Sequence, residues 1–159
     1  MSAPDRSALI APACRDALQS WLSAEQALNG AARATIRAYS TDVAGFLAFL
    51  AVHQGGRGGL APLRDISVSD MRAWMAAERG QGLSARSLAR KLSAVKGFIG
   101  WLAERDGFDA TAVLSTRAPK FQKKLPRPLA EDAARAMIET VELQSPQRWV
   151  SARDSAVLT

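Results

Sequence analysis

Between residues 84 and 106 the apolar positions recur at steps of three and four: Leu88, Leu92, Val95, Ile99 and Leu102. That spacing predicts one amphipathic helix with a single apolar stripe. At about 100° per residue, Arg86, Arg90, Ser93 and Gly97 fall almost opposite the stripe. Ser84 is a good N-cap and Gly107 a stop signal. The back of this helix carries no acid before Glu104, and its middle is small, with Ser93, Gly97 and Gly100. Two readings of such a face stay open. It is a solvated helix rich in arginine, or a surface that can come close to another, a DNA groove being one candidate. If it is free of the core, Arg90→Ala and Gly97→Leu should leave stability unchanged.

Residues 33–53 repeat the arrangement. Ile36, Tyr39, Val43, Phe46, Leu47 and Leu50 form an apolar stripe, while Arg33, Arg37, Thr41, Ala44 and Ala48 run down the other side. Two shorter helices are predicted. In residues 14–28, Leu18, Trp21, Leu22 and Leu28 share a side, and Asn29 with Gly30 stops the helix. In residues 67–80, Met71, Trp74 and Met75 point inward. Ser67 is the N-cap there, with Asp70 at the third helical position. The short aspartate side chain argues against the reciprocal bond of a full capping box. Residues 109–114 suggest one more short helix, and Gln54 to Gly59 a glycine-rich loop. The pattern is that of an all-α protein with a small helical bundle over residues 14–118. Residues 1–13, with Pro4 and Pro12, read as a disordered arm.

Residues 117–128 hold five basic residues, three prolines and no acid. Prolines at that density exclude regular helix, so residues 119–128 read as an extended linker. It is a solvated hinge or a phosphate-tracking segment, in which Lys120, Lys123, Lys124 and Arg127 would meet the backbone of a nucleic acid. Residues 129–159 return to helical patterning. Their last stretch begins a helix as the sequence stops, as expected of a piece of a longer protein.

Charge and composition narrow the classes of function. The chain of 159 residues is 48% apolar, with a formal charge of +6 and a pI near 10.2, which suits a polyanionic partner. Cys14 is the only cysteine and His53 the only histidine, so neither a disulfide nor a zinc site is expected. This usage fits a reducing cytoplasm, and no run is long and apolar enough to predict a membrane span. Phosphate-loop, dinucleotide-binding and metalloprotease motifs are absent. His53 ends a helix without an evident acid partner and reads as favourable to the helix dipole. Tyr39 falls on an apolar stripe and reads as core. So do Trp21, Trp74 and Trp101. No catalytic residue, metal ligand or cofactor site is expected.

Four stretches carry a resemblance. TIRAYSTD (35–42) resembles the T-L-x-x-Y-x-x-D signature of tyrosine recombinases of the Xer type. GLSARSLARKLSAVKGF (82–98) resembles that family's G-L-S-x-x-S-x-x-R-x-L-S-A-x-R-x-F. Pro119 and Lys120, then KLPRPL (124–129), resemble its linker, and RDSAVL (153–158) resembles the R-D-x-A-x-L that opens the next helix. The four are collinear from about Trp21 onward. The resemblance implies a SAM-like helical core-binding domain, a linker, and over 129–159 the first edge of a catalytic domain that breaks and rejoins DNA. The family's catalytic residues lie beyond Thr159, so none is carried over and this stretch alone is expected to be inactive. What carries over is contact with double-stranded DNA by Arg33, Arg37, Thr41, Arg86, Arg90, Ser93 and Lys96, and by the linker's four cations. For the full-length protein it implies a recombinase partner in a tetrameric synaptic complex and chromosome dimer resolution at cell division. Two alternatives stay open: a phage or transposon integrase, and a helical interaction module with an acidic partner. Two departures stand out. Ala31 and Ala32 occupy positions where the family places a capping Ser or Pro, which puts the cap of the second helix in doubt. Lys96 replaces an arginine, which favours phosphate contact over a bidentate guanine contact.

Overall fold

The computed structural model describes residues 9–56 and 59–120. The chain divides into two units, Met1–Phe121 and Gln122–Thr159, and only the first is described. Expectations for residues 1–8, for Lys123, Lys124 and Arg127, and for 129–159 fall outside the described residues. Within them there are six helices and no strand: α1 (Pro12–Leu28), α2 (Arg33–His53), α3 (Ala61–Arg64), α4 (Val68–Gly80), α5 (Ala85–Asp106) and α6 (Thr111–Leu114). The fold is the expected all-α bundle.

The long helix begins and ends where its sequence dictates. Ser84 adopts an extended backbone and its hydroxyl accepts from the Ser87 amide at 3.1 Å. At the other end Gly107 sits in the left-handed region at φ 70°, where a side chain would be strained, and its amide bonds back to Ala103. Leu88, Leu92, Val95, Ile99 and Leu102 are all buried. α2 lies centrally, with α1, α4 and α5 packed around it. Two aromatic clusters hold these contacts. Trp21 of α1 stacks on Tyr39 of α2, with centroids 5.4 Å apart, and meets Phe98 of α5 edge-on at 5.7 Å. Phe46 of α2 meets Trp74 of α4 edge-on at 5.0 Å. Trp21 and Trp74 are fully buried, yet neither indole N–H finds an acceptor among the described residues. Apolar area, worth roughly 25 cal/mol per Å², is what holds them there. Trp101 is only half-buried, with Arg105 stacked 4.9 Å over its ring.

Several expectations are corrected. Ile10 is buried and α1 already begins at Pro12, a residue suited to a first turn that needs no amide donor. The expected arm through residue 13 therefore loses its last residues to the bundle. Leu28 is 83% exposed, because the helix runs past its partners before Gly30 stops it at φ 61°. Ala48 is buried rather than on a free back, since α4 covers the second half of α2. Asp70 does close the capping box: its carboxylate accepts from the Ser67 amide at 2.8 Å and its amide donates to the Ser67 hydroxyl at 3.1 Å. α2 does start uncapped, at Ala32, with no side-chain hydrogen bond. Among the described residues no helix is long and apolar enough to cross a membrane.

Candidate nucleic-acid interface

The cations singled out in the sequence fall into two groups. Arg33, Arg37 and Thr41 stay on the exposed side of α2's first turns. The two arginines make no ion pair among the described residues, and the Thr41 hydroxyl turns back to the Arg37 carbonyl at 3.1 Å. On α5, Arg86, Ser87, Ala89, Arg90 and Ser93 line an open cleft of about 610 Å³, which Ala118 also lines. Arg86 is exposed and unpaired within the described residues. Ser93 is exposed, with its hydroxyl bonded to the Ala89 carbonyl at 3.0 Å. No residue of α2 lines that cleft, although Arg90, which does, reaches Asp42 of α2, next to Thr41. Lys120 is exposed just beyond Ala118.

Arg90 is not the free cation that its place on the helix back suggests. Its guanidinium lies over Asp42 of α2, with Nη1 2.7 Å from Oδ2 and Nη2 donating to Oδ1 at 3.2 Å. The shorter approach is an ion contact whose angle does not make a hydrogen bond, which leaves Oδ2 buried without one. The Asp42 side chain is 2% exposed and that of Arg90 52%. Burial pushes the Asp42 carboxyl above its ordinary value, and the nearby charges of Arg90 and Lys91 pull it back. Next to it, Lys91 holds the buried Glu78 of α4 at 2.7 Å. Two buried acids and two consecutive basic residues thus tie α2, α4 and α5 together. Neither acid was anticipated, although the spacing carried a signal. Asp42 borders the Tyr39–Val43–Phe46 stripe, and Glu78 continues Met71, Trp74 and Met75. An acid on an apolar stripe requires a partner.

Two other residues are also committed. Lys96 donates to the Leu114 carbonyl at 2.7 Å, capping α6 and fastening the segment that leads to Lys120. Gly97 is exposed, yet a Cβ there would lie 3.2 Å from the Trp21 ring. Its smallness serves the close seating of α1 on α5 as well as an open face, so the expectation that Gly97→Leu is neutral for stability is withdrawn. So is that for Arg90→Ala, which would strand Asp42. His53 does have an acid partner: its Nε2 is 3.1 Å from Asp70 Oδ1. Burial raises the Asp70 carboxyl, but the Ser67 hydroxyl and amide and His53 more than offset this, and the net shift is downward.

A second concavity, of about 470 Å³, lies between α1 and the end of α2. Ile10, Leu47, Leu50, Pro62 and Leu63 line it, and the buried Cys14 donates its thiol to the Gly59 carbonyl at 3.1 Å. Burial pushes that thiol up, which keeps it protonated. Among the described residues no group of acidic, histidine or cysteine side chains could hold a metal ion.

Residues 18–106 match the model of the phage integrase N-terminal SAM-like domain. The chain belongs to this family. The matched range runs from the first aromatic cluster to the end of α5, and so takes in both basic faces. Relatives of this SAM-like domain chain include tyrosine recombinase XerC of Rhodospirillum centenum, 38% identical over 149 residues, covering 93% of this chain and 43% of the relative. The same-named protein of Methylobacterium nodulans is 40% identical over 157 residues, covering 94% and 47%. That of Mesorhizobium japonicum is 32% identical over 148 residues, covering 93% and 47%. The resemblance to Xer-type tyrosine recombinases is thereby borne out, and the chain spans less than half the length of these relatives. No solved structure matches.

Proposed function

We propose that this SAM-like domain holds duplex DNA for a site-specific tyrosine recombinase. The observation that carries the reading is the open cleft on α5, where Arg86, unpaired among the described residues, and the half-exposed Arg90 face solvent among small residues. Cations on a small-residue face can approach the backbone or the major groove of a duplex without steric obstruction. Arg33, Arg37 and Thr41 supply a second contact strip from α2. Lys96 contributes through its remaining donors, and Lys120 starts a third strip that Lys123, Lys124 and Arg127 continue. These linker cations meet phosphate and do not read bases.

The longer protein, on this reading, recombines DNA in the cytoplasm, pairing with a second recombinase in a tetrameric synaptic complex that resolves chromosome dimers at cell division. Strand breaking belongs to the part of the relatives' length that this chain does not span. The relatives' name, tyrosine recombinase, supports the recombination part of this reading.

The test is anisotropy of a labelled duplex titrated with the chain at several salt concentrations. Binding should weaken steeply with salt, and Arg86→Ala or Lys120→Ala should each flatten the slope by about 0.9 per lost phosphate contact. Equal binding to an acidic polypeptide of matched charge, with no preference for duplex, would replace this reading with that of an acidic-partner module.

A further inference from the structure

The Arg90–Asp42 pair has a shape that a purely structural ion pair does not require. A guanidinium has five N–H donors. The carboxylate of Asp42 takes the end of the fork, at Nη1 and Nη2. Nε–H and the second N–H of Nη2 lie along the side edge, and no described residue accepts from Nε. That side edge matches two oxygens of a phosphate as well as the end edge matches a carboxylate. The acid is sealed beneath while the arginine is half in water, so the held end points inward, and Arg90 lines the cleft. Alongside, Lys91 pairs with Glu78 and ties α4 to α5. The pair also joins the two sequence signatures: Asp42 closes TIRAYSTD, and Arg90 is the second arginine of GLSARSLAR.

We propose that Asp42 is a positioning residue for Arg90, holding the guanidinium from beneath so that its side edge is presented to a phosphate of bound DNA. This rests on the DNA-binding reading above. A long side chain fixed in this way loses its rotamer freedom when the protein folds rather than when the duplex arrives, which favours binding. The arrangement explains why an acid sits under a face meant for a polyanion. By charge alone Asp42 opposes binding. By orientation it supports it. The two effects predict opposite signs for its removal, and that makes the role measurable.

The experiment measures duplex affinity of the full chain for Asp42→Asn, Arg90→Lys, Arg90→Gln, the double variant Asp42→Asn/Arg90→Gln, and Arg86→Ala. Circular dichroism sets a temperature at which each is fully folded. Asp42→Asn keeps the shape but offers the fork only one acceptor. It should bind on the order of tenfold more weakly, the size of one charge-assisted contact, although the chain becomes more positive. In the Arg90→Gln background the same change should do nothing further. Arg90→Lys keeps the charge and a partner for Asp42 but has no side edge, so it too should bind severalfold more weakly. Tighter or unchanged binding by Asp42→Asn overturns the proposal. If Asp42→Asn does not fold, Arg90→Lys decides, and parent-like binding by that variant overturns it. Arg86→Ala separates the two levels. If it binds like the parent, or the parent does not bind duplex, the DNA-face reading itself falls. If it weakens while Asp42→Asn does not, only the positioning role falls.

Discussion

The first turns of α2 and the first turns of α5 carry the same pattern, an arginine each turn beside small residues, and the structure uses them differently. On α2, Arg33 and Arg37 make no ion pair among the described residues and stand exposed above an uncapped start at Ala32. On α5, Ser84 caps the helix, Arg90 grips a buried carboxylate, Lys91 grips another, and Gly97 makes room for Trp21. One face is a set of solvated charges on a helix anchored mainly further along. The other is charge built into the packing. The difference teaches that a basic helix back can be part of the packing that holds the fold together. Substitutions on it must then be read for stability before they are read for binding.

The two helices should differ most at Arg90 and Arg37. Arg90→Ala leaves Asp42 buried without its partner, and should cost about 3 kcal/mol, the low end for a broken buried pair because Arg90 is half exposed. Arg37→Ala should stay within about 0.5 kcal/mol. Urea midpoints for the two variants check this, and equal midpoints would erase the distinction. Next comes Gly97→Leu. Its Cβ would press on the Trp21 ring at 3.2 Å, and overpacking of this kind costs about 1–3 kcal/mol. A melting temperature equal to the parent's would mean that α1 shifts freely on α5.

The helix starts sharpen the contrast at a smaller scale. Ser84→Ala should cost about 1 kcal/mol, whereas Ala32→Ser should gain up to a similar amount, because only α5 has a cap to lose. Thermal melts of both should move in opposite directions. Smaller still is the anchor at the far end of α2, where His53 meets Asp70. The Asp70 carboxyl is lowered in the folded protein. Its stabilisation is therefore present above the ordinary carboxylate value of about 3.9 and lost as pH falls below it through the folded value. Asp70→Asn should be less stable than the parent at pH 7, by no more than about 1 kcal/mol. The gap should narrow as the pH is lowered through the carboxylate range, as urea midpoints at neutral and acid pH would reveal.

Much of this fold was legible because helical periodicity is a local signal. The stripe of Leu88, Leu92, Val95, Ile99 and Leu102 and the caps at Ser84 and Gly107 needed no knowledge of the rest of the chain. What escaped depended on which helix packs where. Ala48 looked solvent-facing until α4 covered it. Leu28 matched a stripe that outran its partners. Gly97 lay opposite the stripe, yet large aromatic rings reach round a helix, and Trp21 does. The pairing of Asp42 with Arg90 joins residues 48 apart in sequence, and no spacing rule names such partners. The acids were nonetheless marked by their positions on apolar stripes. Of the expected DNA-contact residues, Arg86, Arg90 and Ser93 line one cleft, Lys96 is diverted to a carbonyl, and the α2 group does not line that cleft.

Duplex contact through the two basic faces is tested most directly by titrating a short duplex into the isotope-labelled chain and following backbone amide shifts. The largest shifts are expected at residues 86–93 of α5 and 33–41 of α2, extending to Lys120. Shifts centred instead on the apolar concavity of Ile10, Leu50, Pro62 and Leu63, with the α5 face silent, would contradict that contact.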